Sequence, residues 1–323
     1  MKSWAMQAGT DSATLELREL AVPEPAAGQA LVKMRAASLN RGEFILGHGL
    51  QKPGTWKALG IEGAGEIVKL GRDVFGFSVG ERVMARCPGA FSEYALMDTR
   101  EMMAIPANLS WEEASAIPLT FLVVHDMLYA QGRLRAGEWL LVTGASSGIG
   151  VASLQAAKAI GARVIGTSGS QEKLDKLQVL GLDVGLRTRG ADFHDAVMKA
   201  TDGKGVNLVV NNVGGSVFAE CIKSLAFEGR LATVGHMDRV LSATLDLEAL
   251  HGKRLTVFGV SNRLRTAPQR AETVRGFVKD LLPYFADGRL RPLIDKAFAF
   301  DDLPAAIKYM ESDVQVGKIT VRV

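Results

Sequence analysis

From residue 139 onward the chain alternates short apolar runs with stretches in which apolar positions recur at helical spacing. Trp139, Leu140, Leu141 and Val142 form an unbroken apolar run, which predicts a buried strand. The Ala-rich stretch 151–160 that follows predicts a helix ending at Gly161, a residue suited to a left-handed C-cap. The alternation then continues: strands are predicted over 162–168, 184–187, 206–211, 230–234 and 254–260, and helices from Gln171, over 192–200 and over 217–226. Strands and helices that alternate in this way predict a doubly wound parallel sheet. Residues 1–117 have a different texture. Short alternating runs over 30–36, 64–68 and 82–85, punctuated by Gly and Pro, predict a β-rich region.

Composition narrows the class without changing that picture. With 323 residues, 47% hydrophobic and 23% charged, the chain is an ordinary globular sequence long enough for two domains, each with its own core. A net charge of +3, with no basic stripe, argues against a nucleic-acid partner. No apolar run approaches the ~18 residues of a membrane helix, and residues 1–10 lack a signal-peptide core, so no membrane association and a cytoplasmic location are expected. Two cysteines, Cys87 and Cys221, fit a reducing compartment.

The candidate chemistry begins where the first strand meets the first helix, at Gly144-Ala-Ser-Ser-Gly148-Ile-Gly150. A glycine-lined turn at a helix start offers unpaired N–H groups and the positive end of the helix dipole to a pyrophosphate, and this assigns Ser146, Ser147, Gly148 and Ile149 to the cofactor. Ala145 and Ser147 replace the first two glycines of the Gly-x-Gly-x-x-Gly spacing, so the turn alone is equally an ordinary strand–turn–helix. The next strand end is more telling. A dinucleotide fold reads the adenosine ribose there, roughly 20 residues after the turn, and NAD calls for an acid. Here the letters are Gly169-Ser170-Gln171-Glu172-Lys173. Ser170 and Lys173 can hold a 2′-phosphate through charge-assisted hydrogen bonds, which predicts NADP(H). Ser170 also suits a helix N-cap, a role compatible with phosphate binding. Three further strand ends carry Asn212, then Val234, Gly235 and His236, then Phe258, Val260 and Ser261, all expected to face the cofactor because ligands of such sheets lie beyond the carboxyl ends of the strands.

Thr143-Gly144-x-x-x-Gly148-Ile-Gly150 is similar to the short-chain dehydrogenase signature, but that family places the turn near the amino terminus, whereas here the whole of 1–137 precedes it. It also needs Tyr-x-x-x-Lys, and Tyr94, Tyr129, Tyr284 and Tyr309 are followed four places on by Asp98, Arg133, Gly288 and Asp313. The chain resembles instead the medium-chain dehydrogenase/reductase superfamily, in its zinc-independent quinone oxidoreductase (zeta-crystallin-like) branch. Four blocks carry the resemblance: Ala37-Ser-Leu-Asn40-Arg-Gly-Glu; Gly60-Ile-Glu62-Gly-Ala-Gly65-Glu-Ile-Val with Val79-Gly80-Glu-Arg-Val83; Ile117-Pro-Leu-Thr120 leading to Gly137-Glu-x-Leu-Leu-Val142; and Val316-Gly317-Lys318-Ile-Thr-Val321.

The resemblance implies an α/β fold of two domains: a GroES-like β-rich catalytic domain over 1–118 and 264–323, with a helix over 269–286, and a Rossmann NADP(H)-binding domain over 119–263. It implies that Asn40 and Thr120 position the nicotinamide end, that Glu43, Phe44 and Trp56 belong to the wall of the substrate cleft, and that Lys318 adds positive charge near the cofactor. Zinc-dependent relatives hold their ion with Cys and His, but Asn40 stands at the first Cys, Ile61 replaces the His, and no metal is expected. With no Lewis acid, hydride delivery from NADPH to a quinone or an α,β-unsaturated carbonyl is the expected reaction, and Arg41 and Arg263 are candidates to orient an anionic substrate. His236, His125 and His48 are the histidines weighed as proton donors. An enoyl-thioester reductase is the alternative; it calls for a tyrosine in the substrate loop, and 41–60 has none. A non-catalytic NADPH-binding protein of the crystallin kind is the alternative of another class. Relatives also pair through the edge strand near 254–260, so a homodimer is expected.

Overall fold

The computed structural model describes residues 1–8, 13–44 and 55–323. They divide into two compact units, Met1–Leu119 with Thr266–Val323, and Thr120–Arg265.

The Thr120–Arg265 unit is built on a six-stranded parallel sheet whose spatial order is Val184–Arg187, Arg163–Ser168, Trp139–Thr143, Val206–Asn211, Leu225–Thr233 and Thr256–Gly259. Chain order reverses beside Trp139–Thr143, so the next strand in sequence on one side is Arg163–Ser168 and the partner on the other side is Val206–Asn211. This is the switch point at which such sheets bind ligands. Leu140, Leu141, Val142, Val164, Ile165, Leu208, Val209 and Val210 are all fully buried, as expected of parallel strands covered on both faces. Helices Gly148–Ile160, Gln171–Gln178, His194–Ala200 and Phe218–Ser224 connect the strands.

Two boundaries differ from the sequence expectation. The helix expected over 217–226 is confined to Phe218–Ser224, and the strand expected from 230 begins at Leu225. The reason is a kink inside the strand: Glu228 has φ 56°, and a Cβ on Gly229 would lie 2.8 Å from the Ala226 carbonyl oxygen. Strand alternation is broken there, and the apolar pattern of 217–226 runs across the true boundary. The helix expected over 269–286 is two helices, Ala267–Asp280 and Leu282–Ala286. Pro283 has no N–H to donate and is accommodated only in a first turn, so the chain breaks at Leu281.

The other unit joins the two ends of the sequence in one core. Its larger sheet runs Ile294–Ala299, Lys318–Arg322, Gln29–Ser38, Glu62–Leu70, Arg82–Arg86 and Met102–Ala104, with Tyr94–Asp98 also paired to Gln29–Ser38, and its smaller sheet joins Ala13–Glu19, Lys2–Ala8 and Trp56–Ala58. Trp4, Val32, Met34, Ile67 and Phe91 share a core with Leu303, Ile307, Met310, Ile319 and Val321, and the Trp4 indole donates to the Phe300 carbonyl at 2.9 Å. The carboxyl-terminal segment therefore supplies a strand and a helix face that the amino-terminal strands need in order to bury their apolar side. No helix among the described residues is long and apolar enough to cross a membrane.

Candidate functional site

The glycine turn is shaped by close packing. Thr143 ends its strand, Gly144 follows with φ 63°, and the helix Gly148–Ile160 starts with Ser147 as N-cap, its hydroxyl accepting from the Gly150 N–H at 3.1 Å. The first helical N–H groups, those of Gly148 and Ile149, have no intrahelical acceptor by the geometry of a helix start. A Cβ on Gly150 would lie 2.5 Å from the Ala145 carbonyl oxygen, so a side chain there would push the first turn of the helix off the preceding turn. Ala145 is tolerated in place of a glycine because Gly166 makes room: a Cβ on Gly166 would lie 2.8 Å from that of Ala145.

At the end of the next strand Ser170 caps the helix Gln171–Gln178, accepting from the Lys173 N–H at 3.4 Å, and Ser168 accepts from the Ser170 N–H at 3.3 Å. Gly169 lies directly under Arg189, whose Nε would be 2.4 Å from an added Cβ. Arg189 is exposed. No sequence signal had singled it out. It follows the strand Val184–Arg187, which pairs with Arg163–Ser168 and so brings its own end to Gly169. Asking which loop neighbours the second strand end would have found it.

The switch-point loops are tied to one another by neutral hydrogen bonds. Thr143 Oγ1 donates to Asn211 Oδ1 at 3.1 Å and accepts from the Asn212 N–H at 3.0 Å, while Asn212 Nδ2 donates to the Thr143 carbonyl at 3.0 Å. Asn212 is buried, and its amide serves this tie. The backbone N–H groups of Val234 and Gly235 both donate to the Asn211 carbonyl, and a Cβ on Gly235 would lie 2.7 Å from the Asn212 carbonyl oxygen. His236 is exposed just beyond. Phe258 pairs with Ala232 in the sheet, Val260 is buried, and Ser261 is exposed, its hydroxyl accepting from the Arg263 N–H at 3.2 Å.

In the other unit the sequence candidates Asn40 and Lys318 meet in a buried polar cluster. Gly317, with φ 93° and a Cβ position 2.5 Å from the Leu293 carbonyl oxygen, turns the chain so that Lys318 points inward. The Lys318 ammonium donates to the Leu39 carbonyl at 2.9 Å, to Asn40 Oδ1 at 2.8 Å and to Glu62 Oε1 at 2.9 Å. Only 6% of Lys318 is exposed, so it is no solvated surface lysine, and Glu62 neutralises its charge within the same unit. Asn40 Nδ2 donates to Glu62 Oε1 at 2.8 Å and to Glu43 Oε1 at 3.3 Å. Glu62 Oε1 also accepts from Ser38 Oγ, and Glu62 Oε2 from the Leu119 N–H at 2.7 Å. Glu43 accepts from the Gly60 N–H at 3.1 Å, and burial above all pushes its carboxyl up to about 8, with Glu62 adding to the effect.

Thr120 is buried at the first position of the helix Thr120–His125. His125 is buried on the same helix and stacks on Tyr129 with ring centroids 5.4 Å apart, a core histidine. Phe44 packs against the core that Trp4 and Met310 share, and the Arg18 guanidinium lies over the Trp56 ring. Arg41 is engaged with Asp313 and donates to the Met310 carbonyl at 2.9 Å. Arg263 is exposed, and His48 lies outside the described residues. Burial pushes the Cys87 thiol up to about 12 and raises that of Cys221 as well, so neither is a nucleophile.

A doubly wound sheet with a glycine turn at its switch point, in a chain that also folds a β-rich unit, defines an α/β protein of the Rossmann class. Residues 26–107 match the family described as alcohol dehydrogenase GroES-like domain, and residues 148–278 the family described as zinc-binding dehydrogenase. The chain belongs to the medium-chain dehydrogenase/reductase superfamily. It is 31% identical over 312 residues to a phenolphthiocerol/phthiocerol polyketide synthase polypeptide of Mycobacterium tuberculosis, a match that covers 96% of this chain but 14% of that protein. It is 29% identical over 333 residues to the acryloyl-coenzyme A reductase of Metallosphaera sedula, covering 94% of this chain and 95% of that one. The quinone oxidoreductase of Pseudomonas syringae pv. tomato superposes with a TM-score of 0.86 at 26% identity, over the full length of both chains, consistent with the quinone oxidoreductase branch.

One family description names zinc. Among the described residues no group of three or more His, Cys, Asp or Glu side chains is placed to hold an ion. Asn40, expected from the resemblance to replace a ligating Cys, accepts from the Lys318 ammonium.

Proposed function

We propose that this protein is an NADPH-dependent reductase of electron-poor double bonds, taking α,β-unsaturated carbonyl compounds or quinones, and that it works without zinc. The observation that carries the proposal is the Lys318–Glu62–Asn40 cluster. The Lys318 ammonium is satisfied by three oxygens and offers no open position with which to polarise an alcohol or a carbonyl, which favours a substrate that brings its own electron deficiency. Reduced nicotinamide, when bound, supplies a hydride.

In this reading Ser146, Ser147, Gly148 and Ile149 present backbone N–H groups to the pyrophosphate, and Gly169, Ser170, Lys173 and Arg189 hold the 2′-phosphate. Asn212, Val234, Gly235, His236, Phe258, Val260 and Ser261 line the nicotinamide half. Asn40 and Thr120 act as positioning residues, Asn40 through the cluster that fixes its amide. A substrate reduced in this way would gain hydride at its β-carbon or quinone ring and a proton from solvent, and hydrogen-bond donors to its carbonyl oxygen, where negative charge would develop, would lower the barrier.

Similarity to the Metallosphaera acryloyl-coenzyme A reductase supports the enoyl-thioester form of this activity, and similarity to the Pseudomonas quinone oxidoreductase supports the quinone form. The test is NADPH and NADH oxidation against a crotonyl thioester, a simple enone and a set of quinones, with and without chelator. Chelator-insensitive turnover with NADPH supports the proposal. Tight NADPH binding with no turnover of any acceptor replaces it with a cofactor-binding, non-catalytic role.

The reading also pairs two copies. The edge strand Thr256–Gly259 bonds to Leu225–Thr233 on one side and exposes Val257, and a second copy joined there extends the sheet across a two-fold axis. A mass of 34.6 kDa in solution refutes the dimer.

A further inference from the structure

The buried cluster contains more carboxyl groups than cations. Ser38, Glu43, Glu62 and Lys318 are each at least nine-tenths buried, and Asn40 is half-buried among them. Among the described residues Lys318 is the cation that bonds to the cluster, and its ammonium goes to Glu62. Glu62 takes in addition the Ser38 hydroxyl, the Asn40 amide and the Leu119 N–H, which gives it the full set of donors a buried carboxylate needs. Glu43 is left, among the described residues, with two neutral donors, the Gly60 N–H at 3.1 Å and the Asn40 amide at 3.3 Å, and that same amide is held more closely by Glu62 at 2.8 Å. A second negative charge at Glu43 would be buried beside the first, and among the described residues the one ammonium bonded to the cluster goes to Glu62.

We propose that Glu43 carries its proton at neutral pH and that, as a neutral acid, it is a positioning residue for Asn40, whose amide it leaves committed to Glu62 and Lys318. Asn40 Nδ2 has two hydrogens, one for each carboxyl group, so ionisation of Glu43 strengthens the longer of the two bonds and shifts the amide toward Glu43. The charged and titratable groups facing Glu43 agree with this count. Glu62, on the strand Glu62–Leu70, opposes ionisation; Lys318, on the strand Lys318–Arg322, favours it but is already paired. Cys87, which follows the strand Arg82–Arg86, is influenced by both carboxyl groups and by Arg86, and it stays a neutral thiol. Burial, Asn40, Glu62, Lys318 and Gly60 together leave Glu43 titrating near 8, raised from 4.5.

In the unfolded chain Glu43 is ionised above about 4.5, whereas in the folded chain it holds its proton up to about 8. Within that window the folded state binds one proton more, so stability falls as pH rises and levels off above about 8.

The experiment compares the wild-type protein with Glu43→Gln, which keeps the shape and the neutral charge. In denaturant unfolding across that window, the unfolding constant of the wild type relative to Glu43→Gln should rise about tenfold per pH unit and become constant above about 8. Parallel curves overturn the protonated state. In protein labelled with 15N-asparagine, the side-chain NH2 signal of Asn40, assigned by its loss in Asn40→Ser, should titrate near pH 8 in the wild type and stay fixed in Glu43→Gln. A signal that does not move in the wild type overturns the positioning role. Neither readout depends on turnover, so failure of the reductase reading and failure of this inference are distinguishable.

Discussion

The switch-point loops and the buried cluster hold polar groups in place by opposite means. At the strand ends of the Thr120–Arg265 unit, Thr143, Asn211 and Asn212 are neutral, and glycines let Gly150 and Gly235 pass within contact distance of another backbone. In the other unit Asn40 is fixed between an ammonium and two carboxyl groups that are themselves buried. The neutral arrangement is controlled by shape and the charged one by the balance of charges. An error of shape costs a local clash; an error of charge leaves an ion buried without its partner, a larger penalty.

The contrast can be broken most severely at Lys318. Lys318→Met leaves the Glu62 carboxylate buried and unpaired, and a loss of about 3–5 kcal/mol in denaturant unfolding is expected. The double variant Lys318→Met/Glu62→Gln should recover most of it; if it does not, packing rather than charge balance holds the cluster.

Next in size are the cationic side chains at the second strand end. Lys173→Ala and Arg189→Ala should each weaken NADPH binding by about 1.5–3 kcal/mol and leave NADH nearly unchanged, because only NADPH carries the 2′-phosphate. Equal losses for the two cofactors in calorimetric titration would move that phosphate elsewhere.

Gly235→Ala tests the shape-controlled side. Its Cβ would meet the Asn212 carbonyl oxygen at 2.7 Å, and about 1–3 kcal/mol of destabilisation is expected in thermal unfolding. A fully stable variant would show that the loop gives way, which would erase the distinction drawn above.

The smallest change in stability should follow Val257→Lys. Its exposed position implies an effect within about 0.5 kcal/mol on the unfolding of each copy, while light scattering should show loss of the dimer.

Much of the Thr120–Arg265 unit was legible in the sequence because its signals are local. Leu140–Val142 is buried on both faces and reads as an unbroken apolar run, and the Ser170 and Gly161 caps announce helix ends by residue type. Where two periodicities meet, as at Ser224–Leu225, the boundary was misplaced, because only the kink at Glu228 and Gly229 makes Leu225 a strand residue. The cluster was legible only in its parts. Asn40 and Lys318 were singled out by resemblance, but Glu43 was expected merely as cleft wall and Glu62 had no chemical role, since no local pattern marks a glutamate as buried. Arg189 was hidden for a related reason: its partner Gly169 is a neighbour through strand pairing, not along the chain.

The order of elements, the glycine turn and the lack of an acid at the end of the second strand follow from the residues read along the chain, because periodicity, capping and turn chemistry act over a few positions. It took the folded core to bury Lys318 against Glu62, to share Asn40 between two carboxyl groups, and to leave Glu43 with neutral donors. Those facts depend on which charges meet once water is excluded, and residues 38, 43, 62 and 318 meet only after the two ends of the chain close a single core.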